Sequence, residues 1–163
     1  MRRSRPAVAR AALLAGALVV PVVPAVAGGC LVDNTLTGSI DQSHDLSFDR
    51  VELRLLTDQA VYELKYLQPL EAGGDDLVAR VVVDQPAPFA PGTPLDLIAG
   101  NGRVDRVTAA NDPFPELQAG TFTVASGGVA QDEDTRGEFA ATFTNGRTLN
   151  GTFRAPLELL AFE

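Results

Sequence analysis

The amino-acid sequence predicts an all-β domain, an antiparallel β-sandwich of about eight to ten short strands, with a small β-barrel as the alternative. Three observations lead to this prediction. Apolar and polar residues alternate through most of the chain after residue 30, as they do in half-buried strands. No long stretch of this region keeps the apolar spacing of an amphipathic helix. Gly, Pro and Asn also interrupt the region at short intervals, which is typical of turns between strands.

The clearest strands lie near the middle of the sequence. The stretch AVYELKY (60–66) alternates strictly, and the stretch LVARVVV (77–83) repeats the pattern. Since successive side chains of a strand point to opposite faces, each stretch predicts one apolar and one polar face. The residues expected on the buried faces are Ala60, Tyr62, Leu64, Tyr66, Leu77, Ala79, Val81 and Val83, and the sequence places Glu63 and Lys65 towards solvent.

The stretch LSFDRVELRLL (46–56) changes its alternation partway along. Leu46 and Phe48 share one parity, whereas the apolar residues from Val51 onward have the other. A regular strand cannot bury both sets on one face, so the sequence predicts a bulge or a bend near Asp49 and Arg50.

The stretch EFAATFTNGRTLNGTF (138–153) predicts a β-hairpin around Asn145 and Gly146. A two-residue turn is the usual connection for this dipeptide, but it would divide the large apolar residues between the two faces. A three-residue loop (144–146) with a left-handed Gly146 keeps them on one face. This register pairs Phe143 with Arg147, Ala141 with Leu149 and Phe139 with Gly151, and it places Glu138, Ala140 and Thr142 opposite Thr152, Asn150 and Thr148 on the solvent face. The ring of Phe139 is then expected to cover Gly151.

Three further stretches predict turns or connections. Gly100, Asn101 and Gly102 form a turn whose register the sequence leaves open. The proline-rich stretches QPAPFAPGTP (85–94) and NDPFPE (111–116) are expected to be long surface connections within one domain.

The charge distribution restricts the possible partners. The chain carries a formal charge of −8, but four of its 13 basic residues lie in the first ten positions, so residues 30–163 keep nine basic against 21 acidic residues, a net of −12. A domain of this sign repels phosphate backbones, so no nucleic-acid partner is expected.

The N-terminal region has the pattern of an export signal. Residues 1–10 are basic without any acid, and residues 11–27 are almost wholly apolar. A membrane-spanning helix fits less well, because Pro21 and Pro24 interrupt a run shorter than the roughly 20 residues that a bilayer requires. We therefore divide the chain into a cleaved leader, residues 1–29, and a single acidic β domain, residues 30–163.

The leader ends at Cys30, which is the only cysteine of the chain. The residues VAGGC (26–30) resemble the lipobox of bacterial lipoproteins. The resemblance covers the leader alone and implies cleavage after Gly29, attachment of lipid to Cys30, and an envelope protein held on the membrane through that lipid. In a cell with two membranes, the residue after Cys30 implies sorting to the outer one. The chemistry is consistent, since a single thiol cannot form an internal disulfide in an oxidising compartment.

The only histidine lies in SIDQSHD (39–45), which contains every residue type of a hydrolytic triad. A triad requires a base bonded to the nucleophile and a third group behind the base, and adjacent residues rarely provide this arrangement. The chain also lacks a G-x-S-x-G motif. We expect a polar loop here and assign no catalytic residue.

The acidic stretch QDEDTRGE (131–138) is the one metal candidate. An EF-hand loop is excluded, because Arg136 and Phe143 occupy positions that require oxygen ligands. A looser calcium site from Asp132, Asp134 and Glu138 stays open, although a solvated turn is the default interpretation. One His and one Cys do not suffice for zinc, and no cofactor is expected.

These observations leave three functional hypotheses. The first is a non-enzymatic envelope lipoprotein that binds an envelope protein or polymer, or has a structural role there. The second is a lipocalin-like carrier, in which the face of Phe139, Phe143, Leu149 and Phe153 lines a cavity for an apolar ligand. The third is a hydrolase that uses carboxylate side chains.

Overall fold

The structure is a computed structural model that describes residues 34–161. It confirms the all-β prediction, since the only helical element in this part of the chain is a 3₁₀ turn at Ser39–Gln42. Nine strands form the domain: β1 Thr35–Thr37, β2 Arg50–Leu56, β3 Val61–Pro69, β4 Asp75–Asp84, β5 Leu95–Asp96, β6 Arg103–Val107, β7 Leu117–Ser126, β8 Asp134–Phe143 and β9 Thr148–Leu160.

The strands form one mixed sheet in the order β5-β7-β8-β9-β2-β3-β4-β6, with β1 attached to β9. Every pair is antiparallel except β2 with β9, which is parallel. The sheet therefore differs in this one pair from the fully antiparallel arrangement that the sequence predicts. The difference arises because β9 continues beyond its partner β8 and runs alongside β2.

Strand β9 belongs to both halves of the sheet. Its residues 148–156 pair with β8, residues 150–152 also pair with β1, and residues 157–160 pair with β2. The sheet curls into a half-barrel, whose two halves are β5, β7 and β8 on one side of β9 and β2, β3, β4 and β6 on the other, with β1 on the same side of β9 as β2. This architecture fits a sandwich-like or barrel-like fold.

Aromatic side chains fill the space between the two halves. The ring of Tyr66 in β3 lies 6.0 Å from that of Phe139 in β8, and the ring of Tyr62 lies 5.9 Å from that of Phe122 in β7. Phe122 in turn stacks on Phe153 at 5.4 Å. The hydroxyl of Tyr66 donates a hydrogen bond to the carbonyl oxygen of Thr152, which satisfies its polar group inside the core.

The half-barrel is bridged on the side opposite β9. Strands β5 and β6 are the two ends of the sheet, and only residues 97–102 separate them along the chain. The backbone N–H of Asp84 donates to the carbonyl of Gly100 at 3.0 Å, and the amide of Asn101 donates to the Asp84 carboxylate at 2.7 Å. Gly100, Asn101 and Gly102 therefore belong to a link between the two sheet edges.

The buried faces of β3 and β4 largely agree with the predicted alternation. Tyr62, Leu64 and Tyr66 are fully buried, whereas Ala60 was placed wrongly, because it lies in the exposed β2–β3 turn with a φ of 52°. In β4 the register shifts opposite Tyr66 and inserts Val78 as an extra residue. Val78 is consequently buried, and Leu77 is only half-buried.

The change of alternation in residues 46–56 coincides with a bend at Asp49 followed by the start of β2 at Arg50. The prediction of a bulge or bend is thus confirmed as a bend. Leu46 lies in the loop before the strand and is buried there, and Leu53 and Leu55 are buried from within the strand.

The predicted β8–β9 hairpin is confirmed in register. Phe139 pairs with Gly151 and Ala141 with Leu149, and the N–H of Phe143 donates to the carbonyl of Arg147. Gly146 has a φ of 79°, the left-handed conformation expected of it. The same hairpin contains a second pair of this kind, Phe153 opposite Gly137, which the sequence argument missed.

The two proline-rich stretches are connections, as predicted, but each contributes a phenylalanine to the core. Phe89 packs against the ring of Tyr62 at 5.5 Å, and Phe114 packs against Phe143 at the same distance. Arg106 is 8% exposed and lies over the Phe114 ring, with its guanidinium donating to the carboxylate of Asp112. The connection that contains Phe114 is therefore held tightly against the domain.

Candidate functional site

The predicted lipidation residue Cys30 and the cleavage position Gly29 lie outside the described residues, which begin at Asn34. The leader, residues 1–29, lies outside them as well. Within residues 34–161, no helix is long and apolar enough to cross a membrane.

The residues around the single histidine form a polar turn. Nδ1 of His44 lies 2.8 Å from Oγ of Ser43 and 3.4 Å from the carbonyl oxygen of Ile40. The far side of the imidazole packs edge-on against the Phe114 ring at 5.2 Å. A carboxylate bonded to the imidazole is what a triad requires, and here the nearby Asp45 carboxylate instead accepts the N–H of Ser47, a bond that lowers its pKa. The arrangement is that of a capped turn.

The three calcium candidates do not converge. Both oxygens of the Asp134 carboxylate accept hydrogen bonds from guanidinium groups, at 2.9 Å from Arg154 and 2.9 Å from Arg136. These bonds hold the pKa of Asp134 below its usual value. In the part of the chain that the structure describes, no three acidic, His or Cys side chains are grouped closely enough to hold a metal ion.

An open groove lies instead beside the link between the two sheet edges. It has a volume of about 460 Å³ and a mainly apolar wall, and Asp84 at the end of β4 and Asp96 in β5 are among the residues that line it. The residues that form its wall are Pro86, Thr93, Pro94, Leu95, Ala99 and Gly100. Ile98, in the same turn, is 50% exposed. We call this feature the proline-walled groove.

The turn at one side of the proline-walled groove is fixed by Asp96. Its Oδ1 accepts the backbone N–H groups of Ile98 at 2.8 Å and Ala99 at 3.0 Å, and its carbonyl accepts the N–H of Gly100. An aspartate that bonds to the backbone two and three residues later stabilises a tight turn. Gly100 fits closely there, because a Cβ at this position would lie 3.0 Å from the Asp96 carbonyl oxygen.

The other side of the groove is formed by the connection of residues 85–94, which is anchored at both ends. Gln85 donates from its backbone to the Ala60 carbonyl at 2.6 Å and from its side chain to the Tyr62 hydroxyl at 2.8 Å. At the other end, the N–H of Gly92 donates to the Val124 carbonyl at 2.7 Å. The prolines between these anchors have fixed φ angles, which restricts the backbone of this side of the groove.

The sequence argument placed no site here. It interpreted residues 85–94 as a surface connection, which is correct but incomplete. The groove depends on bringing Asp84 at the end of β4 next to Asp96 in β5, twelve positions later, and this depends on how the sheet curls. The available signal is a proline-rich stretch bounded by two aspartates.

The geometry therefore assigns the protein to a broad structural class, that of acidic all-β domains built from one curled mixed sheet, here with a proline-walled surface groove. No protein-family model, curated protein or solved structure matches the chain.

Proposed function

We propose that the protein is a non-enzymatic envelope lipoprotein, anchored through lipid on Cys30, whose domain binds a cationic and partly apolar polypeptide segment in the proline-walled groove. The observation that carries the binding part is the groove itself, which combines a mainly apolar wall with two aspartates, Asp84 and Asp96, among its lining residues. Its volume falls in the range of sites that accommodate a few side chains or a small molecule.

Charge selects the partner. Asp84 and Asp96 line the groove, and the chain from residue 30 carries a net charge of −12. A partner segment with Lys or Arg beside a Leu- or Val-like side chain complements both the carboxylates and the apolar wall. Electrostatic complementarity of this kind speeds association and excludes acidic competitors.

The carrier hypothesis has less support. It requires the face of Phe139, Phe143, Leu149 and Phe153 to line a cavity, and all four side chains are at most 3% exposed and pack against other core residues. Such a face is typical of a filled core. A hydrolase has less support still, since Ser43 and His44 are arranged as a turn cap.

Mass spectrometry of the protein purified from its own membrane tests the anchoring. We expect a mature chain that begins at Cys30 and carries acyl chains, and a Cys30→Ala variant that carries none. An unmodified cysteine or a retained leader on the mature protein would contradict the proposal.

Titration with two synthetic peptides tests the groove, one with alternating Leu and Lys and one with alternating Leu and Glu. We expect the Leu-Lys peptide to shift the amide resonances of residues 95–100 saturably, and the Leu-Glu peptide to leave them unchanged. Ala99→Arg places a cation in the groove and should weaken binding by about tenfold or more. Ala110→Arg is the matched control, since Ala110 is an exposed alanine away from the groove. Equal binding of both peptides, or equal effects of the two variants, would refute the assignment.

A further inference from the structure

We infer that the side of the domain formed by β1 and the middle of β9 rests against the bilayer, so that the proline-walled groove faces away from the membrane. This inference rests on the proposed lipidation of Cys30. It adds to that proposal the orientation of the domain and the surface that contacts lipid.

The first step is the length of chain between the anchor and the domain. Only four residue steps separate Cys30 from Asn34, where the described domain begins. A fully extended chain of four residues spans at most about 14 Å. This is less than the thickness of the domain, so the surface around Asn34 cannot move far from the lipid headgroups.

The second step is the location of Asn34. Its side-chain oxygen accepts the backbone N–H of Arg154 at 2.6 Å, and the next residue, Thr35, pairs with Thr152. The anchor therefore leaves the domain beside the middle of β9. A shallow depression of about 420 Å³ follows directly along that strand, and it is lined by residues 51–54, 131, 132 and 156–158.

The third step is charge. Three of the nine basic residues after Cys30, namely Arg54, Arg136 and Arg154, lie around this exit point. They form ion pairs with Glu52, Asp134 and Glu158, so three cations offset three of the carboxylates on this side, and Asp132 adds a further negative charge; the whole domain is more strongly acidic. Anionic lipid headgroups repel such a surface less than they repel the acidic remainder.

The fourth step places the groove. Strands β5 and β6, which are joined by the groove's turn, lie three and four strands away from β9 in opposite directions around the curled sheet. At the usual strand separation this amounts to roughly 14 and 19 Å along the sheet, on the side opposite the anchor. A partner can therefore reach the groove from the space beyond the membrane surface.

Fluorescence quenching on the full-length lipidated protein in vesicles tests the orientation. Single cysteines introduced by Pro156→Cys or Glu158→Cys mark the surface near the anchor, and Ile98→Cys or Val107→Cys mark the distant side. Ile98 and Val107 are 50% and 62% exposed, so labels there leave the core intact. With a nitroxide on the lipid headgroups, we expect labels at 156 and 158 to lose most of their fluorescence and labels at 98 and 107 to keep most of theirs.

A matched variant carries ten Gly and Ser residues inserted between Asp33 and Asn34, which adds about 17 Å of flexible reach. We expect the difference between near and distant labels to shrink in this variant. Equal quenching at all four sites, or a difference that the insertion leaves unchanged, would overturn the orientation while lipid on Cys30 is intact. A mature chain without lipid would overturn the proposed function as well, and mass spectrometry of the same samples separates the two results.

Discussion

The cross-strand pair of Phe139 and Gly151 makes the first prediction. A Cβ added at Gly151 would lie 2.3 Å from Cε1 of Phe139 and 2.7 Å from the hydroxyl oxygen of Tyr66. Gly151 has no positive φ, so Gly151→Ala introduces steric conflict without backbone strain. Since carbon atoms in contact normally lie about 3.5–4.0 Å apart, the Phe139 ring must retreat by more than about 1 Å.

The cost follows from what surrounds that ring. Phe139 is 3% exposed and packs against Tyr66, so it has little space into which it can move. Overpacking of a filled core costs about 1–3 kcal/mol. Loss of the Tyr66–Thr152 hydrogen bond adds about 1 kcal/mol. The reduced entropy of the unfolded chain offsets up to about 1 kcal/mol, which leaves a net destabilisation of about 2 kcal/mol.

Urea denaturation of the chain from residue 30, with Cys30→Ser, measures this loss. Gly73→Ala is the control, because Gly73 has a φ of 89° and no atom within 4 Å of its added Cβ. It should cost about 1 kcal/mol from left-handed strain alone. In the Gly151→Ala background, Phe139→Leu should recover part of the loss, so that the double variant is more stable than additivity predicts. A neutral Gly151→Ala, or strict additivity of the two changes, would refute the reasoning.

Three further predictions concern the two tyrosines and one carboxylate. Tyr66→Phe should lower the free energy of unfolding by about 1–2 kcal/mol in urea denaturation, because the Thr152 carbonyl loses its hydrogen bond; an unchanged midpoint would contradict this. Burial raises the pKa of Tyr62 to about 12 and that of Tyr66 further, so tyrosinate absorbance in an alkaline titration should stay low above pH 10 and rise only as the domain unfolds. Their folded-state pKa values are raised, and the stability that they contribute is therefore lost as the pH rises above 10. Hydrogen bonds from Thr108, the larger effect, and from Arg106 hold the pKa of Asp112 below its usual value. The stability that these bonds contribute is therefore lost as the pH falls through the folded-state pKa of Asp112. Asp112→Asn should consequently destabilise the domain at pH 6 more than at pH 3, and an equal loss at both would be inconsistent with the assignment.

The parts of the fold that the sequence predicts are those with local determinants. The register of the β8–β9 hairpin follows from Phe139, Phe143 and Leu149, because a two-residue loop would divide them between the faces and a three-residue loop places all three on the same face. The alternation of β3 has the same origin. Ala60 was misplaced because alternation continues by chance into a turn whose geometry depends on β2.

The parts that it does not predict depend on distant neighbours. The parallel pairing of Leu53 with Leu157 joins strands that are far apart in sequence, and no local pattern specifies it. The extra residue Val78 in β4 lies where the pairing of that strand with both β3 and β6 changes register. The proline-walled groove is of the same kind, since Asp84 and Asp96 line one groove only after the sheet has curled.

The position of β9 also determines when the domain can become compact. It pairs with β1, β2 and β8, and its ion pair between Arg54 and Glu158 joins residues 104 positions apart. Contacts of such long range form slowly, and here they cannot form until β9 has been synthesised. Strands β2, β3, β4 and β6 pair with one another without β9, as do β5, β7 and β8, so each half can form first and the core between the halves closes only once β9 has joined them.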